Sequence, residues 1–256
     1  MASLPNLLSV FLIIASGAAL KSLNVIRRES WDGFERVTYL VLFPAMIIST
    51  LATADLASTP FFAMGATLVS SLLSIAALLL VLRRWMDKKL GIDGAAFSSI
   101  FQGSIRWNSF VAFALATSLH GREGATLCAV AVAAMIPLLN FLSVGVITRY
   151  ATAQNPSRPA YGRALLKNPF IWSCLIGLGL NPVFTFIPAP LFAPLTLIGQ
   201  ASLAAGLLAA GAGLTLQPLP KLGTAHIFAL GAKLIALPLL AIGFTQIFSV
   251  SGTAYS

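Results

Sequence analysis

The chain has 256 residues, of which 58% are hydrophobic and only 9% charged, with a formal net charge of +9. Mean hydropathy is +0.91, whereas soluble domains carry roughly 25% charged residues, so an ordinary soluble domain is excluded. The apolar runs are long enough to cross a hydrocarbon core of about 30 Å and do not alternate as barrel strands would, so the predicted fold class is all-α: a polytopic helical membrane protein of about eight transmembrane helices.

In chain order the predicted spans cover residues 4–20, 37–54, 60–82, 96–119, 125–148, 169–187, 191–215 and 225–248. Residues Ser3 to Leu20 lack the basic start of a cleavable leader and are followed by further spans, so they read as the first membrane helix. Between the sixth and seventh spans, Asn181, Pro182, Pro188, Pro190 and Pro194 crowd together, which suits a hairpin or a broken helix. Lys21, Arg27, Arg28 and Arg36 lie at the first loop, Arg83, Arg84, Lys88 and Lys89 at the third, Arg149, Arg158, Arg163 and Lys167 at the fifth, and Lys221 at the seventh. The even loops hold only Arg122. A bias of thirteen basic residues to one places the odd loops in the cytoplasm of a multi-pass protein of the cell inner membrane, with the amino terminus outside. Because the basic residues are spread over separate loops, they read as topology signals and not as a nucleic-acid footprint.

The polar residues within spans carry the candidate chemistry. Pro44 removes a backbone donor in the second span; it either kinks the helix or frames a cavity with a freed carbonyl. In the fourth span, "FQGSIRWNSF" places Gly103, Arg106 and Asn108 in an apolar stretch. An arginine at mid-bilayer costs about 2.5–3.5 kcal/mol on insertion scales, a cost that a cavity, a partner or a broken helix reduces. Arg106 can serve an anion or carbonyl oxygens, and Asn108 both donates and accepts. Two positions apart on a continuous helix they would diverge, so joint action needs the backbone to unwind. The alternative is structural: Arg106 snorkels or pairs, and Asn108 bonds a neighbouring backbone. Pro137 and Asn140 repeat the proline–asparagine combination in the fifth span, where Asn140 is either a site residue or an interhelical bond. Gly199, Gly206, Gly211 and Gly213 allow close helix packing in the seventh. Lys233, in the eighth, either counters an anionic substrate or merely sits at a packed helix terminus.

Other chemistry lacks its residues. His120 and His226 are isolated, Cys128 and Cys174 each sit in an apolar span, and no GxxxxGK cradle occurs, so neither a metal, a cofactor nor ATP-driven pumping is expected. No nucleophile and base share a depth, so an enzyme is not expected. Glu29, Asp32, Glu35, Asp55, Asp87, Asp93 and Glu123 all fall in loops or at span edges; that balance favours an anion over a cation.

The segments "ESWDGFERVTYLVLFPAMIISTLA", "IFQGSIRWNSFVAFALATSLHG", "LLKNPFIWSCLIGLGLNPVFTFIP" and "AAGLLAAGAGLTL" together resemble the auxin efflux carrier (PIN-like) family of bacterial permeases across nearly the whole chain. The resemblance implies a transporter of two inverted five-helix repeats with a bile acid symporter-like fold, usually a homodimer. It implies secondary transport of a small organic anion, auxin-like or a dicarboxylate, by alternating access without a cofactor. Broken fourth and ninth helices would cross at the substrate, and Gly103, Arg106 and Asn108 match the fourth. Residues 1–150 then form the first repeat, 151–167 a cytoplasmic connecting loop, and 168–256 an incomplete second repeat of about three helices. The chain stops at "FSVSGTAYS", where the family continues into a ninth and tenth helix, so a partner chain or a shortened product is expected. The alternative function is a transport-incompetent or partner-dependent membrane protein that keeps the scaffold helices. Membrane lipid is the expected surrounding, and a proton, sodium or exchange remains open as the coupling.

Overall fold

The computed structural model describes residues 3–54, 61–151, 168–214 and 223–250. Every regular element among them is helical. They are α1 (Ser3–Ser22), α2 (Arg28–Val37), α3 (Phe43–Ala52), α4 (Phe61–Leu90), α5 (Gly94–Ile105), α6 (Ser109–Tyr150), α7 (Pro169–Leu180), α8 (Ala189–Ala212), α9 (Thr224–Gly231) and α10 (Leu237–Ile247). A 3₁₀ turn over Asn181–Phe186 follows α7, where the sequence concentrates its prolines. The expected connecting loop over 151–167 lies, beyond its first residue, outside the described residues. The same holds for Asp55, Arg158, Arg163, Lys167 and Lys221.

The chain is an all-α, polytopic membrane protein. Among the described residues, six stretches are long and apolar enough to cross a bilayer: Glu29–Ala52, Phe61–Leu90, Gly94–Tyr150, Pro169–Phe186, Ala189–Ala212 and Thr224–Ile247. The sequence reading counted eight, and the counts differ in two places. Helix α1, counted over Leu8–Ser22, is not among the six, and Gly94–Tyr150 passes as one stretch. An unbroken helix of its 57 residues would run on the order of 85 Å, far beyond a bilayer. The chain breaks it twice. Residues 106–108 leave the helix between α5 and α6, and Gly121 interrupts α6 with φ 57° and ψ −134°, a backbone that only glycine adopts without strain.

Two of the stretches contain widened turns for the same reason. Proline has no N–H and its ring crowds the carbonyl four residues back, so the ladder ahead of it must loosen. Ahead of Pro44, Thr38–Leu42 forms a π turn in which the Phe43 N–H donates to the Thr38 carbonyl. Ahead of Pro238, Ala232–Ala236 does the same, with the Leu237 N–H donating to Ala232. Pro137 lies within α6, but the non-helical dihedrals of α6 are at Gly121.

The chain divides by packing into two compact units, each assembled from three stretches: 1–59, 108–133 and 169–217 in the first, and 60–107, 134–168 and 218–256 in the second. This is a division by contact and differs in kind from the two sequence halves expected above. In the first unit, α8 packs along α1, and α3 packs against both α7 and α8. The contacts are close enough to exclude side chains: a Cβ on Gly211 would fall on the Ile14 carbonyl oxygen, one on Gly17 on that of Leu208, and one on Gly199 would lie 2.9 Å from the Met46 Cα. Small residues at such seams let helices associate in lipid through dispersion. Phe43, fully buried, meets Phe110, Phe113 and Phe170 with ring centroids 4.5, 5.4 and 4.9 Å away. In the second unit, α4 packs with α10 and α5, and α5 with α9. Its core joins Leu72, Ile75, Phe97, Phe101 and Ile105 to Met135, Leu139 and Val146 of α6.

Candidate functional site

The end of α5 is built by its sequence. Helix α5 opens on Asp93, whose carboxylate accepts from the Ala96 N–H at 2.7 Å. It closes at Arg106, which turns to extended backbone (φ −76°, ψ 139°) while its own N–H still donates to the Gln102 carbonyl at 2.9 Å. Ending a helix inside an apolar stretch strands its last carbonyls away from water. Lys233 answers one of them: its ammonium donates to the Arg106 carbonyl oxygen at 2.7 Å. A cation there also meets the negative end of the α5 dipole. The π turn ahead of Pro238 carries Lys233, so the proline that disturbs one helix helps to position the residue that caps another.

The Arg106 side chain is exposed, and its Nε donates to the buried Ser143 hydroxyl of α6 at a long 3.4 Å. Neither Arg106 nor Lys233 forms an ion pair with a carboxylate among the described residues, whereas Arg83 and Asp87 on α4 pair at 3.5 Å. Between Arg106 and Asn108 stands Trp107, packed against the core of the second unit, with its indole Nε1 buried and without a hydrogen-bond partner. The break therefore gathers two unpaired positive charges and one orphaned N–H. Sequence reasoning passed over Trp107 because a tryptophan in an apolar run reads as packing.

Asn108 belongs to the first unit, where it starts the helix after the break. Its Oδ1 accepts from the Val111 N–H at 3.2 Å, the bonding of an N-cap asparagine, which leaves the two donors of its amide available. With Asp32, Glu35, Arg36, Thr38, Tyr39 and Phe110 it lines a cavity of about 570 Å³ in that unit. Two carboxylates and one guanidinium at this wall give a mixed charge, unlike the purely positive break of the second unit.

The remaining sequence candidates are dispersed. On α5, Gly103 is exposed, and a Cβ there would meet Ala229 of α9 at an ordinary 3.6 Å. Asn140 is half-buried on α6 within the second unit. Pro44 and Pro137 belong to α3 and α6 as described.

Two polar residues with defined roles were missed. Asn181 donates through Nδ2 to the carbonyls of Leu51 and Ala54 at 2.9 and 2.8 Å, closing the end of α3. Arg122, directly after the Gly121 break, donates to the Thr53 carbonyl at 3.0 Å. Nothing local in the sequence pairs residues 69 or 130 positions apart. The chain matches no protein-family model and no curated protein.

Proposed function

We propose that the chain is a secondary carrier of a small organic anion, with Arg106 at the centre of its binding chemistry. One observation carries the reading: at the α5 break in an apolar stretch, Arg106 and Lys233 stand together without a carboxylate partner, beside the orphaned Trp107 donor. Two unneutralised cations in a low-dielectric setting are costly until an anion joins them. A guanidinium fork binds a carboxylate through two parallel hydrogen bonds. Lys233 is held by the Arg106 carbonyl but keeps two further N–H donors. The resemblance to auxin efflux carriers supports the same reading and adds alternating access, a homodimer and a proton or sodium ion as coupling partner.

Transport follows from the energetics of desolvation. A dicarboxylate leaving water needs replacement donors at its oxygens, and the break supplies them at fixed positions, so the solute is held without being bound irreversibly. The test is uptake of radiolabelled malonate into vesicles containing the purified chain, with and without imposed proton and sodium gradients. Concentrative uptake that falls to leakage in Arg106→Gln, with the variant still folded, supports the carrier. Leakage-level movement in the unmodified chain, under every gradient and with a range of carboxylates, supports the other reading, a transport-incompetent membrane protein that keeps its scaffold helices.

A further inference from the structure

We infer that the first unit holds a second, independent site for a small oxyanion, in the cavity between α3, α6 and α8 that Arg122 lines together with Thr50 and Gln200. The cavity measures about 370 Å³ and is lined by Ser49, Thr50, Thr53, Arg122, Thr196 and Gln200 with Ala125. That volume lies at the small end of ligand pockets, suited to a solute of a few heavy atoms. Its lining carries one full positive charge and no carboxylate; Glu123, next in sequence to Arg122, is not part of it.

Three features of the chain build this wall. Gly199 lets α8 touch the backbone of α3 at Met46, and Ser202 one turn on donates to the Met46 sulfur at 2.9 Å. The next residue along, Gln200, and Thr196 one turn back then face the cavity with Ser49, Thr50 and Thr53. The turn at Gly121 redirects the backbone so that Arg122 arrives at the end of α3. The donors can be sorted. The hydroxyls of Ser49, Thr53 and Thr196 already donate to carbonyls of their own helices at 3.0, 2.8 and 3.3 Å. The Thr50 hydroxyl and the Gln200 amide form no such bond among the described residues. Arg122 gives one N–H to Thr53 and retains the rest of its fork. A guanidinium, a hydroxyl and an amide N–H are the set that binds carboxylate or phosphate oxygens. The oxyanion is either a free carboxylate or phosphate, or the phosphate of a net-anionic lipid headgroup, which a zwitterionic phosphatidylcholine does not replace.

Arginine-selective labelling with phenylglyoxal, read at each arginine by mass spectrometry, tests this on the purified full chain in phosphatidylcholine nanodiscs. Malonate, inorganic phosphate and added phosphatidylglycerol are the probes, with the chloride salt as ionic-strength control and the exposed Arg84 as internal reference. The Arg122 labelling rate is expected to fall roughly tenfold once a probe exceeds its dissociation constant about tenfold, with Arg84 unchanged. Protection by malonate or phosphate identifies a free solute, and protection by phosphatidylglycerol alone identifies a headgroup. In a Thr50→Val, Gln200→Leu double variant, Arg122 should label as before without probe but lose its protection. Absence of protection by all three probes, or undiminished protection in the double variant, overturns the site. Arg106→Gln should leave Arg122 protection intact, so failure of this site and failure of the carrier reading are separate results.

Discussion

At the scale of residues, the recurring device is a cation placed on a helix's last carbonyls. Lys233 serves the end of α5, Arg122 that of α3, and Lys21 that of α8, where it donates to the Ala212 carbonyl at 2.7 Å. The break at Arg106 should therefore depend on Lys233. Replacing it by Met removes the side-chain donor to the Arg106 carbonyl and is expected to cost about 0.5–1.5 kcal/mol, read as a lower midpoint of thermal unfolding in detergent. Lys233→Arg should recover most of that loss. Trp107 separates a ligand role from a packing role. Trp107→Phe keeps a ring and removes an unsatisfied donor, so the midpoint should hold or rise. If the indole N–H meets the anion, the same variant raises the KM for uptake with kcat unchanged. The candidates Arg106 and Lys233 were legible because charge inside an apolar run is conspicuous. Their meeting across 127 residues was not, since no local pattern encodes it.

Among the elements, glycine decides how the helices are interrupted and how closely they pass. Gly121 and Gly145 both lie in α6, yet the first has positive φ and the second is helical with open space around its Cβ direction. Gly121→Ala should lower the unfolding midpoint by the cost of a strained backbone, about 1–3 kcal/mol. Gly145→Ala should hold or raise it by up to about 1 kcal/mol, because alanine favours the helix. A comparison of the two by calorimetry controls for the side chain added. Gly211 tests packing instead: alanine there puts a methyl on the Ile14 backbone, which cannot rotate away, and overpacking of this kind costs about 1–3 kcal/mol. The prolines were visible in the sequence as irregularities, but whether each would kink, break or widen its helix was not. Pro44 and Pro238 follow π turns, whereas the non-helical dihedrals of α6 fall at a glycine.

For the molecule as a whole, the basic loops make a prediction about sidedness. In a variant with Cys128 and Cys174 replaced by serine, a single cysteine at Asn24 or Lys88 should react with an impermeant maleimide from the cytoplasmic side, and one at Gly121 from the opposite side. Reaction of all three from the same side would contradict the orientation read from the loops. At the whole-molecule scale, packing divides the chain within an element. The first unit takes the beginning of α6 and the second takes its remainder, from Ala134 onward. Pro137 lies four residues after Ala133, whose carbonyl it leaves without the usual helical donor. A reader of hydropathy alone sees one span there, because both portions are equally apolar.

The sequence by itself determined that this chain lives in a bilayer and is helical. Hydropathy and run length are local sums, and without water every backbone group must be satisfied within its own segment. It also determined where charge would be costly, at Arg106 and Lys233. Only the tertiary structure decided what the polar groups do: that Lys233 closes the end of α5, that Asn108 starts a helix, and that Arg122 reaches Thr53 beside a cavity lined by hydroxyls and an amide. Such pairings arise from the directions in which broken helices send the chain. Those directions depend on neighbours tens of residues away, which periodicity does not carry.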